Sequence, residues 1–570
     1  MAEEVWMLQT KKADFKQIGA RFRIDPVTAR IIRNRGIEGE AAIDRYLNGT
    51  LDDLYDPMLL KDMERAVSIL CEAVDTGKKI RIVGDYDIDG VCSTYILLQA
   101  FERLGSDVDF EIPDRIKDGY GINESIIEQA HADGVEVILT CDNGISAFHQ
   151  VELAKKYGMT VVITDHHEVP LDGEKEKIPP ADAVIDPKQA DCPYPFPEIC
   201  GAVVAYKLVQ VLYARRGVPQ MEWLDLLEFA AIATVGDVMK LQDENRILVK
   251  YGLKKMAQTK NLGLRRLAEK NNLDLGAITA YHIGFVIGPC LNAGGRLKTA
   301  KEALALLRAQ SEEEAERLAE ELKELNDTRK DMTEQGTEAA KLQVESWYQK
   351  DKVLVIFLPE CHESLAGIIA GRLREYYQKP AIVLTRGEEM VKGSGRSIDE
   401  YHMFKKLTEV SDLLLKFGGH PLAAGLSLEE KNIDEFRRRL NENAGLTEED
   451  FKAKVWIDVP MPVGYVTERL VRELSCLEPF GQGNEKPLFA EKSLRIRASR
   501  VLGRNRNVVK MTLEETDGHA IEALYFGDGT AFEEERAGRR EIDVVYYPDI
   551  NEYNGRKTLQ AVIRRYKFRG

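Results

Sequence analysis

Four short runs of β-branched residues, each ending in acidic or imidazole side chains, constrain the fold of this 570-residue chain most strongly. They are KKIRIVGDYD (78–87), EVILTCDNG (136–144), TVVITDHH (160–167) and DAVIDP (182–187). Helical stretches such as STYILLQAFERLG (93–105) lie between them. Strands that alternate with helices form a parallel sheet with helices on both faces. The pattern therefore predicts a doubly wound α/β domain.

The chain is too long for one hydrophobic core, and its pattern changes along its length. A second strand-and-helix segment begins at KVLVIFLP (352–359), and the stretch 301–350 between them reads as one long helical signal with Ser311 and Glu314 as a capping box. The domains that we predict are a helical N-terminal lead-in (1–60), the α/β domain (61–250), a helical connector (251–350), a second α/β domain (351–455) and a C-terminal domain (456–570).

The C-terminal domain has a different pattern. NVVKMTL, AIEALYF, EIDVVYY and LQAVI are short strand signals, and Asn554-Gly555 is a hairpin signal between two of them. Short strands at this spacing are typical of a small β-barrel.

Composition excludes several classes of protein. The sequence has no apolar run of membrane-spanning length, and MAEEVWMLQTKKADF lacks the layout of a signal peptide. Its eight cysteines form no CxxC pair, which favours reduced thiols and a cytoplasmic protein. The net charge of −16 argues against non-specific coating of nucleic acid, although a local basic groove is compatible with an acidic total.

Acids and imidazoles follow three of the predicted strands. In a doubly wound sheet the carboxyl ends of the strands meet at one edge, where ligands bind. That edge would gather Asp85, Asp87, Asp89, Asp142, Asp165, His166 and His167. A single Asp-Gly turn needs no metal, but clustered carboxylates repel each other unless a cation neutralises them. The sequence therefore predicts a metal site.

The ligand types indicate which metal binds. Carboxylate oxygens and histidine without thiolate suit Mn²⁺ or Mg²⁺ rather than structural zinc. The number of ligands suffices for two ions, and a pair of ions about 3.5–4 Å apart is the usual arrangement for phosphoester hydrolysis.

The same motifs resemble a known family. GDYDIDG, CDNG and TDHHE resemble the first three motifs of the DHH phosphoesterase superfamily, and Asp237 in AIATVGDVMKL matches the fourth. GRSID and LLLKFGGHPLAAGLSL resemble the DHH-associated domain with its Gly-Gly-His motif. LEPFGQGNEKPLF resembles the junction before the terminal barrel in the RecJ family of bacterial exonucleases. The resemblance covers roughly residues 20 to 568.

The resemblance implies a single-stranded-DNA-specific 5′ to 3′ exonuclease that releases 5′-mononucleotides and acts in recombination and repair. It implies a monomer, a barrel of the OB type, and a single-strand-binding protein and a helicase as partners. It assigns Asp87, Asp89, Asp142, His166 and Asp237 as metal ligands, leaving Asp85 and His167 as ligands or as supports of ligands. Among these, Asp89, His166 and His167 are the catalytic candidates.

The second α/β domain and the barrel are expected to hold the strand. Asn292 and Arg296 fit the family pattern, whereas Cys290 stands where the family usually carries arginine. Arg396 and Arg372 offer forked donors to a phosphate, although Arg372 is equally suited to cap a helix. The predicted DNA contacts are Asn292, Arg296, Arg372, Arg396, Ser397, Gly418, Gly419, His420, Arg504 and Arg506. The last two belong to a basic run, RIRASRVLGRNRNVVK (495–510), which has six basic residues and no acid.

Three other functions are compatible with parts of the sequence. A DHH phosphodiesterase that acts on nano-RNA or cyclic dinucleotides shares the metal motifs but needs no barrel. A non-catalytic single-strand-binding DHH scaffold would lack some metal ligands, which are all present here. A DHH inorganic pyrophosphatase would be much shorter.

Overall fold

The computed structural model describes residues 4–116, 118–387, 390–553 and 555–569. The chain divides into two compact units. The larger unit contains Tyr55–Met239 and Tyr251–Ala453, and the smaller one contains Val5–Leu54, Lys240–Lys250 and Lys454–Gly570.

Helices are distributed along most of the chain. In chain order the α-helices are Phe15–Phe22, Pro26–Asn34, Glu40–Asn48, Met63–Thr76, Ile88–Arg103, Glu124–Ala132, Phe148–Lys156, Gly201–Arg215, Gln220–Leu224, Leu227–Gly236, Asp243–Met256, Leu262–Lys270, Ala280–His282, Gly288–Leu297, Lys301–Arg308, Glu312–Gln343, Ala366–Tyr377, Met403–Thr408, Ile433–Glu442, Glu468–Leu474 and Gly529–Arg536.

The larger unit begins with a five-stranded sheet whose paired strands are all parallel. Its strands lie in the order Val108–Glu111, Ile80–Val83, Val137–Cys141, Thr160–Thr164 and Ala183–Ile185. The predicted doubly wound α/β fold is therefore confirmed. The strand order reverses at Ile80–Val83, so the loop after this strand lies at the switch point where such folds bind ligands.

A second sheet in the larger unit confirms the second α/β domain. Its strands lie in the order Leu414–Gly419, Ala423–Leu428, Val391–Arg396, Ala381–Arg386 and Leu354–Phe357. Only the last two pair in parallel, and the others are antiparallel. Its core includes Val355, Leu384 and Phe436.

The predicted long connecting helix is present but shorter than the sequence signal. Residues 301–350 form the helix Lys301–Arg308, the 32-residue helix Glu312–Gln343 and the π-helical segment Val344–Tyr348. Ser311 caps the long helix, because its hydroxyl accepts the Glu314 amide at 3.2 Å. The Glu314 carboxylate accepts the Gln310 amide at 3.1 Å, so the second capping bond is made one residue earlier than predicted.

The smaller unit contains the predicted C-terminal barrel. Five strands close into a ring, which is the strand number of an OB fold. In order around the ring these are Phe489–Leu502, Val508–Glu514, Ala520–Phe526, Arg556–Phe568 and Glu541–Tyr553. The last two pair antiparallel as the hairpin signal predicts, although Asn554 itself lies outside the described residues.

The N-terminal helices share a core with this barrel. Ile31, Ile32 and Tyr46 pack in the same cluster of buried side chains as Val459 and Phe489. The strand Glu4–Leu8 pairs with Ala453–Ile457, so the lead-in is not wholly helical. No pattern in the sequence predicts this shared core, because the two segments are separated by most of the chain. The domain boundaries given above remain predictions.

Two predictions from composition concern the whole chain. Within the described ranges, none of the helices combines the length and apolar character that crossing a membrane would require. All eight cysteines are free thiols.

Candidate active site

The carboxyl edge of the first sheet gathers the acids and imidazoles that the sequence predicted. Asp85 follows the strand Ile80–Val83, and Asp142 follows Val137–Cys141. His166 and His167 follow Thr160–Thr164. These strands are neighbours in a parallel sheet, so their ends deliver side chains to one place.

Two of the aspartates are fixed by the amino ends of helices. Asp87 caps the helix Ile88–Arg103, since its Oδ1 accepts the amides of Asp89 at 2.9 Å and Gly90 at 3.1 Å. Asp89 lies in the first turn of that helix, and its carboxylate accepts the amides of Gly201 and Ala202, each at 2.7 Å, from the start of another helix. Helix amino ends stabilise negative charge. The two amides therefore hold the Asp89 carboxylate in one orientation.

Gly201 allows the two halves of this site to approach closely. A Cβ atom at Gly201 would lie 2.7 Å from the Cβ of Asp142. A larger residue would therefore push the helix Gly201–Arg215 away from Asp142 and pull its amides off Asp89.

His166 lies at the centre of the cluster. Its Nε2 is 3.0 Å from Asp142 Oδ1, 3.4 Å from Asp89 Oδ2 and 3.9 Å from Asp237 Oδ2. Asp237 stands at the carboxyl end of the helix Leu227–Gly236. The helix thus brings in the fourth motif residue, which only the family resemblance identified.

Three overlapping groups of side chains have the spacing of metal ligands. In each group one potential ligand atom per residue lies within 4.8 Å of the others. The groups are Asp85 with Asp87 and Asp142; Asp89 with His166 and Asp237; and Asp142 with His166 and His167. Two of the groups share Asp142 and two share His166, which is the arrangement expected of adjacent sites with bridging ligands.

The protonation of these acids shows how strongly the cluster requires positive charge. Burial, and then the charge of Asp87, raises the pKa of Asp85 to about 8. Burial, and then Asp89, raises the pKa of Asp237 to about 8. The pKa of Asp142 is raised well above its ordinary value by burial and by its acidic neighbours. A divalent cation would remove the penalty for ionising all of them.

The donor set fits Mn²⁺ or Mg²⁺. It consists of carboxylate oxygens and imidazole nitrogen, which these ions prefer. Cys141 lies beside the cluster, but burial raises the pKa of its thiol to about 12, so it offers no thiolate. Burial lowers the pKa of His166, which leaves its imidazole neutral and able to coordinate.

His167 and Asp165 form a supporting pair. His167 Nδ1 is 2.7 Å from Asp165 Oδ1, and Asp165 Oδ2 accepts the amide of Ile145 at 2.9 Å. Burial opposes protonation of His167, but the hydrogen bond and charge of Asp165 outweigh it and raise the pKa of His167 to about 9. Tyr120 donates to the Asp142 carbonyl at 2.7 Å and lies 3.1 Å from His167 Nδ1. These contacts fix the loop that carries Asp142.

A cleft lined by basic residues adjoins the metal loop. It has a volume of about 820 Å³ and lies within the larger unit. Its lining includes Tyr86, Arg296, Ser394, Arg396 and Gly418. Tyr86 stands between Asp85 and Asp87, so the cleft reaches the metal loop itself.

The arginines of this cleft crowd each other. Burial, and then the charges of Arg115 and Arg329, lowers the pKa of Arg296 to about 10. Burial, followed by Arg374 and Arg115, lowers the pKa of Arg396. Within the described ranges, no ion pair involves Arg115, Arg296 or Arg396. Arg296 donates to the Ser364 carbonyl at 3.0 Å, and Arg396 donates to the Gly395 carbonyl at 2.8 Å. Guanidinium groups without a carboxylate partner in a cleft are suited to bind phosphate.

The structure places the other predicted DNA contacts in different surroundings. Asn292 lines a small cavity with Arg296 and Arg329. Arg372 is exposed on the helix Ala366–Tyr377. Burial, and then the charge of Arg372, lowers the pKa of Arg329. Ser397 is buried and donates its hydroxyl to the Tyr401 carbonyl at 2.5 Å, so its hydroxyl is already engaged. Ser394, three residues earlier, lines the cleft instead.

The Gly-Gly-His segment ends one strand of the second sheet, Leu414–Gly419, and begins the turn to the next. Gly419 has φ of +146°, and a Cβ there would lie 2.4 Å from the Ala423 carbonyl, so this position needs glycine. His420 is exposed, and its amide donates to Ala423 at 2.7 Å. Gly418 lines the cleft, whereas His420 is not among the lining residues described. Its role in binding DNA stays a prediction.

An arginine from another part of the chain lies near Cys290, the position where the family usually carries arginine. The Cys290 side chain is buried, and the Asn326 amide lies 3.4 Å from its sulfur. Asn326 in turn accepts from Arg329 Nε at 3.1 Å. A guanidinium is thus present near Cys290, but it comes from the long helix Glu312–Gln343.

The basic run of the barrel is partly neutralised. Arg497 pairs with Glu514, and Lys510 pairs with Glu522 at 2.9 Å. Arg504 and Arg506 are exposed in the turn between the first two barrel strands, and Arg506 Nε donates to Thr530 at 3.0 Å.

Sequence reasoning missed Arg115, Tyr86, Ser394 and Arg329. Arg115 follows the strand Val108–Glu111, which pairs with Ile80–Val83 at the same edge but was not predicted as a strand. The polar run after VDFE was the available signal. Ser394 was available in the GSGRSI segment beside Arg396.

Comparisons with known proteins agree with this geometry. Three family profiles match: the DHH family N-terminal domain over residues 79–234, the DHHA1 domain over residues 350–445 and the RecJ OB domain over residues 457–565. The chain is 36% identical over 564 residues to the single-stranded-DNA-specific exonuclease RecJ of Bacillus subtilis (strain 168), covering 98% of this chain and 70% of that protein. It is 34% identical over 563 residues to RecJ of Escherichia coli (strain K12), covering 95% of each.

Solved structures show the same fold. A crystal structure of RecJ in complex with Mn²⁺ from Thermus thermophilus superposes with a TM-score of 0.84 at 28% identity, covering 99% of this chain and 80% of that one. The corresponding Mg²⁺ complex gives a TM-score of 0.78 at 27% identity, covering 99% and 78%. The fold, the assembled acidic cluster and the near full-length identity lead to one conclusion: the chain belongs to the RecJ family of single-stranded-DNA-specific exonucleases.

Proposed function

We propose that this protein is a metal-dependent exonuclease that hydrolyses single-stranded DNA from its 5′ end and releases 5′-mononucleotides, in DNA recombination and repair. One observation carries the proposal: the acidic cluster and the basic cleft meet at Tyr86. The Arg115 guanidinium lies 4.7 Å from the centroid of the Tyr86 ring. A Cβ at Gly295 would lie 2.3 Å from the Tyr86 carbonyl, so the segment that carries Arg296 is pressed against the metal loop.

This adjacency suits a phosphodiester substrate. A strand in the cleft would place one phosphate among Arg115, Arg296 and Arg396 and bring the next part of the backbone to the acidic cluster. Phosphates bind to arginine forks through paired charge-assisted hydrogen bonds. Most contacts of a sequence-independent nuclease go to the backbone, which fits a cleft lined by guanidinium groups and glycines.

The residues that would hold the ions are Asp85, Asp87, Asp89, Asp142, His166 and Asp237, with His167 as a further candidate. Two Mn²⁺ or Mg²⁺ ions bound there would supply an activated water and polarise the phosphoryl oxygen. The protein itself fixes the ligands: the amino end of the helix Gly201–Arg215 holds Asp89, and Asp165 orients His167. Attack of water on phosphorus breaks the bond between phosphorus and the 3′ oxygen of the terminal nucleotide. The terminal nucleotide leaves, and its 3′ oxygen takes a proton.

The barrel would add affinity for longer strands through exposed basic residues such as Arg504 and Arg506. We further propose that the protein acts as a monomer in the cytoplasm, with a single-strand-binding protein and a helicase as partners. Free cysteines throughout the chain support a reducing compartment.

The test is digestion of DNA labelled separately at the 5′ and at the 3′ end, in the presence of Mn²⁺. We expect release of labelled mononucleotide from the 5′-labelled single strand at once, and progressive shortening of the 3′-labelled one. A blunt duplex should resist, and a 5′ overhang should be trimmed. Loss of nucleotides first from 3′ ends, or equal digestion of blunt duplex, would refute the proposed polarity and strand choice.

A further inference from the structure

Two large aromatic side chains stack on each other in solvent beside the active site. Tyr281 is 63% exposed and Phe285 is 67% exposed. Their ring centroids are 4.7 Å apart and their planes differ by 27°, which is a stacked geometry. Exposed apolar side chains that lie together, rather than singly, mark interaction sites.

The aromatic pair belongs to the same helical segment as two residues of the active site. Tyr281 lies in the helix Ala280–His282, and Phe285 lies in the π-helical segment Ile283–Ile287. The helix Gly288–Leu297, which carries Asn292 and Arg296, follows without a break. Single π-helical turns inside helices occur frequently at functional sites.

A cavity beside this segment lies next to the residue that precedes Asp237. Gly284 and Gly288 line a cavity of about 110 Å³ together with Asn292, Arg296 and Gly236. Gly236 directly precedes Asp237, one of the proposed metal ligands. Phe285 therefore directly follows Gly284, which lines the cavity next to the proposed metal site.

We propose that Tyr281 and Phe285 form a stacking platform for the bases of single-stranded DNA at the edge of the active site. This inference rests on the proposed function, because it names a further contact for the same substrate. In the proposed function the arginines of the cleft bind phosphate, and the bases need a separate contact. Aromatic rings stack with any base, so they hold an unpaired strand without selecting a sequence. Bases in a duplex have their faces covered, so the platform also favours single strands.

The experiment uses the full chain with Mn²⁺ and measures KM and kcat on single-stranded oligonucleotides. The substrates are one normal strand and a series in which a single abasic residue is moved along the strand. The variants are the double substitution Tyr281→Ala with Phe285→Ala, and the ring-retaining pair Tyr281→Phe with Phe285→Tyr. Trp347→Ala is the matched control, since Trp347 is 71% exposed in the other π-helical segment, Val344–Tyr348.

For the wild type we expect KM to rise when the abasic residue occupies one or two adjacent positions. The double alanine variant should raise KM on the normal strand about ten-fold and should no longer respond to the abasic residue at those positions. The ring-retaining pair should restore both properties, and Trp347→Ala should resemble the wild type. Because both rings are exposed, thermal unfolding of every variant should match that of the wild type.

Two results would overturn the platform. One is a double alanine variant whose KM equals that of the wild type. The other is a double alanine variant whose KM rises by the same factor on normal and abasic strands and still depends on the position of the abasic residue. The rings would then support the local fold and not bind a base. Failure of the proposed function gives a different result, namely that the wild type cleaves none of the strands.

Discussion

His166 Nε2 lies 3.0 Å from Asp142 Oδ1, although the two residues follow different strands of the first sheet. This contact requires the strands Val137–Cys141 and Thr160–Thr164 to be parallel neighbours in register, as they are. It also brings together a neutral imidazole and a carboxylate whose pKa is raised well above its ordinary value. The fold therefore places two potential metal ligands next to each other before any cation is bound.

The first prediction concerns pH and metal. Asp237 has an ordinary pKa of 3.8 that is raised in the folded chain to about 8. Between these values the folded metal-free protein binds more protons than the unfolded chain, so its stability falls as pH rises from about 4 to about 8. Ions displace those protons, so stabilisation by Mn²⁺ should be larger at pH 8 than at pH 6.

Thermal unfolding of chelator-treated protein at pH 6, 7 and 8, with and without Mn²⁺, measures both effects. In Asp237→Asn the stability of the metal-free protein should fall less as pH rises. The variant should also lose most of the stabilisation that Mn²⁺ gives the wild type. A wild-type protein that is stabilised equally by Mn²⁺ at pH 6 and pH 8 would contradict this account of the acidic cluster.

The second prediction concerns the cleft. Arg396→Ala should raise KM for short single strands by about 10- to 100-fold, because a charge-assisted hydrogen bond to phosphate contributes about 1.5–3 kcal/mol. Arg386→Ala is the control: Arg386 ends a neighbouring strand of the same sheet but pairs on the surface with Glu430 at 3.2 Å. Steady-state kinetics on a short oligonucleotide compares them, and equal KM values for the two variants would exclude Arg396 from the substrate site.

The third prediction concerns the barrel. In the part of the chain that the structure describes, no ion pair involves Arg500 or Arg504, whereas Arg497 and Lys510 are paired with glutamates. Replacing Arg500 and Arg504 by alanine should weaken binding of long strands and reduce the log–log salt slope by about 0.7 for each lost phosphate contact. Replacing Arg497 and Lys510 should change the slope less. The measurement is binding of a long single strand by both double variants across a salt series. Identical slopes for the two variants would show that the basic run of the barrel does not contact DNA.

The sequence predicts the acidic cluster well because local order determines it. Asp85, Asp142 and His166 each follow a buried β-branched run, and parallel strands leave no choice of edge. Asp237 is different: it follows a helix, and only a family motif distinguishes it from an ordinary helix end.

The cleft is predicted less well, because it depends on packing between distant segments. Arg115 follows the strand Val108–Glu111, whose four residues are only half-buried and give a weak signal. Ser394 and Ser397 lie near the end of the strand Val391–Arg396. The sequence alone does not show which of the two side chains faces the cleft, because that depends on the pleat of the strand. The shared core of Tyr46 and Phe489 joins segments separated by most of the chain, which no periodicity reveals.

One measurement tests the central claim most directly: parallel assays of hydrolysis and single-strand binding for Asp142→Ala in Mn²⁺. Asp172→Ala, at an exposed position of the short strand Leu171–Asp172, is the control. We expect Asp142→Ala to lose at least about 100-fold in hydrolysis, as loss of a metal ligand should cost no less than loss of a residue that merely supports one. It should still bind single-stranded DNA, because the strand is held mainly by the arginines. An Asp142→Ala protein that degrades single-stranded DNA at a rate comparable to the control would contradict the account.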